Sequence, residues 1–217
     1  TINSARGYKI TTLGNHWENK VSGAGDVNGD GLADIIVSDY SHSTATFSSD
    51  RNGRAVVIYS NAQGTVPTDL NNIAASQGFK ITAFASNGSG TFHEVSSVGD
   101  VNGDGLGDVA VITNNRLYVV FGNATGAAVN FSNFTASQGF TFETNPTMTF
   151  TSVASAGDMN GDGLSDILVG NGGTATTNVF VLYGKTSGTP ITTGAYDALA
   201  IAPSEGFRIN GSANTQF

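Results

Sequence analysis

The sequence predicts an all-β fold: three units of four antiparallel strands, with an extra outer strand ahead of the first. Two observations carry this. An acidic pattern returns three times, as GDVNGDGLAD at 25–34, GDVNGDGLGD at 99–108 and GDMNGDGLSD at 157–166. A glycine–aromatic pair precedes each copy, at Gly7-Tyr8, Gly78-Phe79 and Gly139-Phe140, and a fourth pair stands at Gly206-Phe207. Units of this length exceed a solenoid coil and leave room for a four-stranded sheet with its loops. Four-stranded sheets repeated radially are β-propeller blades. The chain then reads as three blades plus one outer strand, a partial propeller or half of an assembled one.

Each unit offers four strand candidates, bounded by Gly, Asn and Asp. The first leads into the acidic loop, at 20–25, 94–99 and 151–157. The second leaves it as an apolar run, at 34–38, 108–113 and 166–170. The third covers 54–59, 116–121 and 178–183, and the fourth is the glycine–aromatic segment at 78–83, 139–143 and 206–209. Residues 7–11 are a further copy of the fourth strand. The repeats run over about 12–83, 84–143 and 144–211, with 1–11 as the leading strand, all within one propeller segment, 1–217.

Composition agrees. A 39% hydrophobic content is ample for a core, while 29 Gly against 4 Pro, with abundant Asn, Ser and Thr, suits short strands and turns better than long helices. No apolar run is long enough for a membrane-spanning helix, so no direct membrane insertion is expected. With no cysteine, disulfides, thiolate metal sites and a cysteine nucleophile are excluded together. Thr1 opens no charged-then-apolar leader, so any targeting segment is expected outside these residues.

The net charge of −8 makes nucleic acid a poor partner. The acidity is concentrated rather than spread. Asp26, Asp30 and Asp34 share one loop, Asp100, Asp104 and Asp108 a second, and Asp158, Asp162 and Asp166 a third. Together with Asn28, Asn102 and Asn160 they place side-chain oxygens at positions 1, 3, 5 and 9 of each loop. Calcium takes six to eight oxygen ligands and tolerates irregular geometry. The backbone carbonyls of Leu32, Leu106 and Leu164, at position 7, would complete the shells. Magnesium, which keeps more of its own water, fits a largely protein-made shell less well. An EF-hand would need a bidentate Glu at position 12, where Val37, Val111 and Val169 stand inside apolar runs. Metal-free hairpin turns would explain one Asp-Gly pair, but not three mutually repelling carboxylates crowded into each of three loops. Three calcium sites are therefore expected, bracing the turn between the first and second strands.

These loops, the apolar strand after each, and the endings VVIY at 56–59, VVFG at 119–122 and VLYG at 181–184 resemble the FG-GAP repeat of integrin α-subunit propellers and many secreted bacterial proteins. The segments SQGF at 76–79 and 137–140 and SEGF at 204–207 look more like the bacterial branch. The resemblance implies calcium ligands at loop positions 1, 3, 5, 7 and 9, and a secreted or cell-surface, bacterial setting. The Gly-Ala-Pro triplet that follows the second strand in many members is replaced by Ser38-Asp39-Tyr40, Thr113-Asn114-Asn115 and Gly170-Asn171-Gly172. That departure argues against close kinship with animal integrins, not against the fold.

Three blades do not close a ring. A fragment of a longer propeller is the favoured expectation, and a homodimeric ring formed through open edges the sharper alternative. The loops opposite the acidic ones vary most, as recognition loops on a rigid scaffold do. They offer His16, Trp17, Tyr40, His42, Arg51, Phe92 and His93 as candidate ligand-binding residues. Packing under loops explains the aromatics equally well, and the histidines lack paired-ligand spacing. No nucleophile elbow, phosphate loop or zinc-protease motif is present, so no enzyme is expected. The sequence-level function is a calcium-binding, noncatalytic module for extracellular adhesion or protein interaction. The alternatives are a lectin-like carbohydrate binder or the noncatalytic propeller of a larger secreted hydrolase.

Overall fold

The computed structural model describes residues 18–40, 53–61, 67, 70–83, 92–113, 116–143, 149–172, 177–192 and 201–211. These form three sheets packed face to face, each with four antiparallel strands from one repeat. The first contains β1 (Glu18–Gly25), β2 (Asp34–Tyr40), β3 (Arg54–Ile58) and β4 (Gly78–Thr82). The second contains β5 (Glu94–Gly99), β6 (Asp108–Ile112), β7 (Arg116–Val120) and β9 (Gly139–Glu143). The third contains β10 (Thr149–Gly157), β11 (Asp166–Gly172), β12 (Asn178–Leu182) and β14 (Gly206–Asn210). Up-and-down order with sheets facing one another is the arrangement of neighbouring propeller blades. The expected leading strand at 7–11 lies outside the described residues.

Burial explains why these segments are strands. Every residue of β6, DVAVI, is buried, because its sheet is covered on both faces. Alternate residues of each strand then serve different neighbours. Ile36, Val57, Phe79 and Ile81 of the first sheet pack on Val95, Val109, Val111 and Tyr118 of the second. The opposite face of the second sheet offers Ile112, Leu117, Val119, Phe140 and Phe142 to Phe150, Val153, Ile167 and Phe180 of the third. Ring contacts tie this second layer, with Phe142 lying 5.3 Å from Phe180 and 5.4 Å from Phe150.

The glycine of each glycine–aromatic pair among the described residues is fixed by geometry. Gly78, Gly139 and Gly206 have φ of 142°, 146° and 146°. A Cβ there would stand 2.0, 1.8 and 2.0 Å from the carbonyl oxygens of Val57, Val119 and Val181 on the neighbouring strand. Only glycine meets both demands. The next residue is then free to point its ring between the sheets.

Two short strands have no counterpart in the expected pattern. β8 (Val129–Asn130) pairs in parallel with β4, and β13 (Ile191–Thr192) pairs in parallel with β9. Each belongs to the connection between the third and fourth strands of one repeat, yet it extends the sheet of the preceding repeat. Every sheet that has a following neighbour thus receives a fifth strand from it.

Candidate functional site

The acidic loops sit where the innermost strand of each sheet ends. At Gly25, Gly99 and Gly157 the pairing register shifts and φ is positive, 75°, 78° and 67°, so the strand bulges out into the loop. The loop then folds onto its first Asp. Asp26 Oδ1 accepts from the Gly29 and Asp30 amides at 2.7 and 3.0 Å, and Oδ2 accepts from the Gly31 amide at 2.8 Å. Asp100 and Asp158 hold the equivalent three amides. Asn28 Oδ1 accepts from the Asp30 amide, and Asp30 Oδ1 from the Leu32 amide, both at 2.9 Å. The same pair of bonds recurs at Asn102 and Asp104 and at Asn160 and Asp162.

The last Asp of each loop behaves differently. Asp34, Asp108 and Asp166 are buried, at 1%, 0% and 0% exposure. Each carboxylate spans two backbone amides: Val27 and Ser60 for Asp34, Val101 and Gly122 for Asp108, Met159 and Gly184 for Asp166. It thereby fastens the loop to the end of the third strand of its own sheet. Burial pushes the Asp108 carboxyl up to about 7, with Asp104 and Asp100 adding repulsion against the two amide bonds. Asp34 is raised for the same principal reason, burial, with Asp30 and Asp26 contributing.

The loops also join sheets. The Asp26 and Val27 carbonyls accept from the Gly107 and Asn123 amides of the second sheet, at 2.7 and 2.9 Å. The Asp100 and Val101 carbonyls accept from the Ser165 and Lys185 amides of the third, at 2.9 and 2.7 Å. Tyr59, its hydroxyl pushed up to about 12 by burial first and Asp34 second, donates to the Asn123 carbonyl across the first of these joints. The Leu106 side chain lies over Gly29 and that of Leu164 over Gly103; a Cβ on either glycine would come within 2.9 Å. Loop position 7 thus packs one sheet on the preceding one, at Leu106 and Leu164.

All fifteen loop residues singled out from sequence, Asp26 to Asp34, Asp100 to Asp108 and Asp158 to Asp166 at positions 1, 3, 5, 7 and 9, fall in these three like-folded turns. Among the described residues no three carboxylate or imidazole side chains converge on one point suited to a metal ion. A shell drawn from these turns would combine carboxylates with an Asn oxygen and a backbone carbonyl. What sequence reasoning missed is the cross-sheet bonding by the carbonyls of positions 1 and 2. Its signal was the apolar residue at position 2 in every copy, Val27, Val101 and Met159.

The other candidates are dispersed. His16, Trp17, His42 and Arg51 lie outside the described residues, and so does the side chain of Tyr40. Phe92 is fully buried, its ring 5.6 Å from that of Phe131, so it serves the core. His93 is half-buried and helps line a cleft of about 240 Å³ with Lys20, Glu94, Thr149 and Thr151. That cleft lies where the innermost strands begin, at the end opposite the acidic loops.

Residues 100–169 match the family model of the FG-GAP-like repeat, a span that runs from the second acidic loop through β6, β7, β9 and β10 to the third acidic loop and the start of β11. No curated protein matches the chain.

Proposed function

We propose that this FG-GAP repeat protein is a noncatalytic interaction module of the cell surface or extracellular space, its sheets clamped by calcium held in the three acidic loops. The observation that carries the reading is that three Asp, one Asn and a backbone carbonyl recur at the same positions of three like-folded turns, two of which are hydrogen-bonded to the following sheet. Asp26, Asn28, Asp30, Leu32 through its carbonyl, and Asp34 would hold the first ion, with the equivalent residues of the other loops holding two more. The donor set is all oxygen, which suits a hard cation. When bound, the ion would supply positive charge that relieves repulsion among the carboxylates. The residues themselves do the structural work, since they already direct three amides onto the first Asp and two onto the last.

Rigid loops at one end leave the other end for recognition. A protein ligand there fits the adhesion reading. The polar lining of the cleft at that end, Lys20, Glu94, His93, Thr149 and Thr151, favours a hydroxyl-rich glycan as the second reading, which a glycan array would test. Calorimetric titration of chelator-stripped protein tests the first part of the proposal. Three calcium ions per chain are expected, and two for Asp104→Ala. No calcium heat at millimolar concentration would remove the reading.

A further inference from the structure

The acidic loops touch one another, and the two joints between them are built alike, position for position. At the first, the Asp26 carbonyl accepts from the Gly107 amide at 2.7 Å; at the second, the Asp100 carbonyl accepts from the Ser165 amide at 2.9 Å. Gly107 and Ser165 occupy position 8 of their loops, between the Leu at position 7 and the buried Asp at position 9. The backbones approach closely at both joints. A Cβ on Gly107 would stand 2.9 Å from the Ala24 carbonyl oxygen, and one on Gly99 would stand 2.8 Å from the Cβ of Ser165. Leu106 and Leu164 close the same two joints over Gly29 and Gly103.

These contacts fall on the residue that folds the loop. Asp26 gathers the Gly29, Asp30 and Gly31 amides on its carboxylate while the second loop holds its carbonyl. Within the second loop, the Asp104 carboxylate holds the Leu106 amide, one residue ahead of the Gly107 amide that reaches across. A continuous line of hydrogen bonds and peptide units therefore runs from Asp104 to Gly31. The second joint repeats it, from Asp162 through the Leu164 and Ser165 amides to Asp100, and on to the Gly103, Asp104 and Gly105 amides. Among the described residues no backbone hydrogen bond joins the first loop directly to the third.

We propose that the three acidic loops form one coupled series with the second loop as its control point. Each loop takes its shape alone, but its resistance to opening depends on the loop beside it. Close-packed contacts transmit small displacements, and units that touch only their neighbours stabilise one another through nearest-neighbour terms. Such coupling is reciprocal and typically runs to fivefold or more. The second loop takes part in both joints, so opening it loosens both neighbours, whereas the first and third reach each other only through it. The coupling is a property of the protein's own bonds and does not depend on which ion the loops take.

Amide hydrogen exchange followed by NMR in the presence of chelator measures this coupling, with each variant checked by circular dichroism. Leu106→Ala keeps every hydrogen-bonding group of the second loop and removes the side chain that lies over Gly29. In it the Gly29 and Gly31 amides should exchange at least about fivefold faster, while the Gly161 and Gly163 amides change less. Asp104→Ala, which frees the Leu106 amide of an exposed turn, should speed exchange in the first and third loops alike. Wild-type rates at Gly29 and Gly31 in Leu106→Ala overturn the proposal. Equal acceleration in all three loops of Leu106→Ala overturns it too, because that marks a general loosening rather than a joint. Asp104→Ala effects confined to the second loop would likewise show that the loops open independently.

Discussion

The second and third acidic loops are nearly the same sequence and make the same internal hydrogen bonds, but among the described residues only the second of the two is hydrogen-bonded to a following sheet. Val101 is buried and its carbonyl receives the Lys185 amide; Met159, at the same position, is half exposed. The difference teaches that the loop has two separable properties. Its folded shape is local, set by Asp side chains capturing amides two to five residues ahead. Its structural role is long-range and depends on the sheet beside it. Identical local chemistry can therefore differ in what it contributes to stability.

The comparison can be broken most directly at the buried Asp. Asp108→Ala strands the Val101 and Gly122 amides in the middle of the molecule, and buried unpaired groups cost about 1–3 kcal/mol each. A loss of about 3–5 kcal/mol is expected in denaturant unfolding, against roughly half that for Asp166→Ala, whose loop holds no further sheet among the described residues. Equal losses would show that the cross-sheet joint adds nothing. Gly139→Ala comes next. Its Cβ would strike the Val119 carbonyl between two packed sheets, and a cost of about 2–4 kcal/mol is expected. Gly206→Ala should cost less, because β14 has an uncovered face toward which it can shift. A smaller contrast separates Val101→Ala, about 1–2 kcal/mol for a buried aliphatic truncation, from Met159→Ala, within about 0.5 kcal/mol.

The pH dependence sharpens the same contrast. Asp108 titrates near 7 in the folded protein and near 3.8 when unfolded. The folded state thus holds a proton that the unfolded chain has released. The stability this contributes is complete below the unfolded value and is lost as pH rises through about 7. In chelator, thermal unfolding at pH 5.5 should occur at a higher temperature than at pH 8, and Asp108→Asn should flatten that difference. An unchanged slope in Asp108→Asn would assign the effect to other groups.

Much of this architecture was legible in the sequence because the repeat displays it several times. The four strands per unit follow from apolar runs between glycines, and the observed bounds differ from the expected ones by two residues at most. β10 begins at Thr149 rather than 151, and β2 reaches Tyr40 rather than 38. The parallel strands β8 and β13 were not legible. Two residues such as Val129 and Asn130 carry no periodicity, and their partner belongs to the preceding repeat. The loop oxygens were legible as a group, but not their division of labour. Nothing in the spacing separates Asp26, which folds the loop, from Asp34, which burial and two amides turn into a fastening. Phe92 illustrates the limit of reading loops by composition: an aromatic just ahead of a strand belongs to the core when the next sheet covers it.

Thermal unfolding with and without calcium tests most directly whether the acidic loops hold a cation. Binding confined to the folded state adds about 2.7 kcal/mol per site at a hundredfold excess of ion over its dissociation constant. The melting temperature should fall when a chelator is added and return when calcium, but not an equal concentration of magnesium, is restored. Superimposable melting curves in chelator and in calcium would contradict the account.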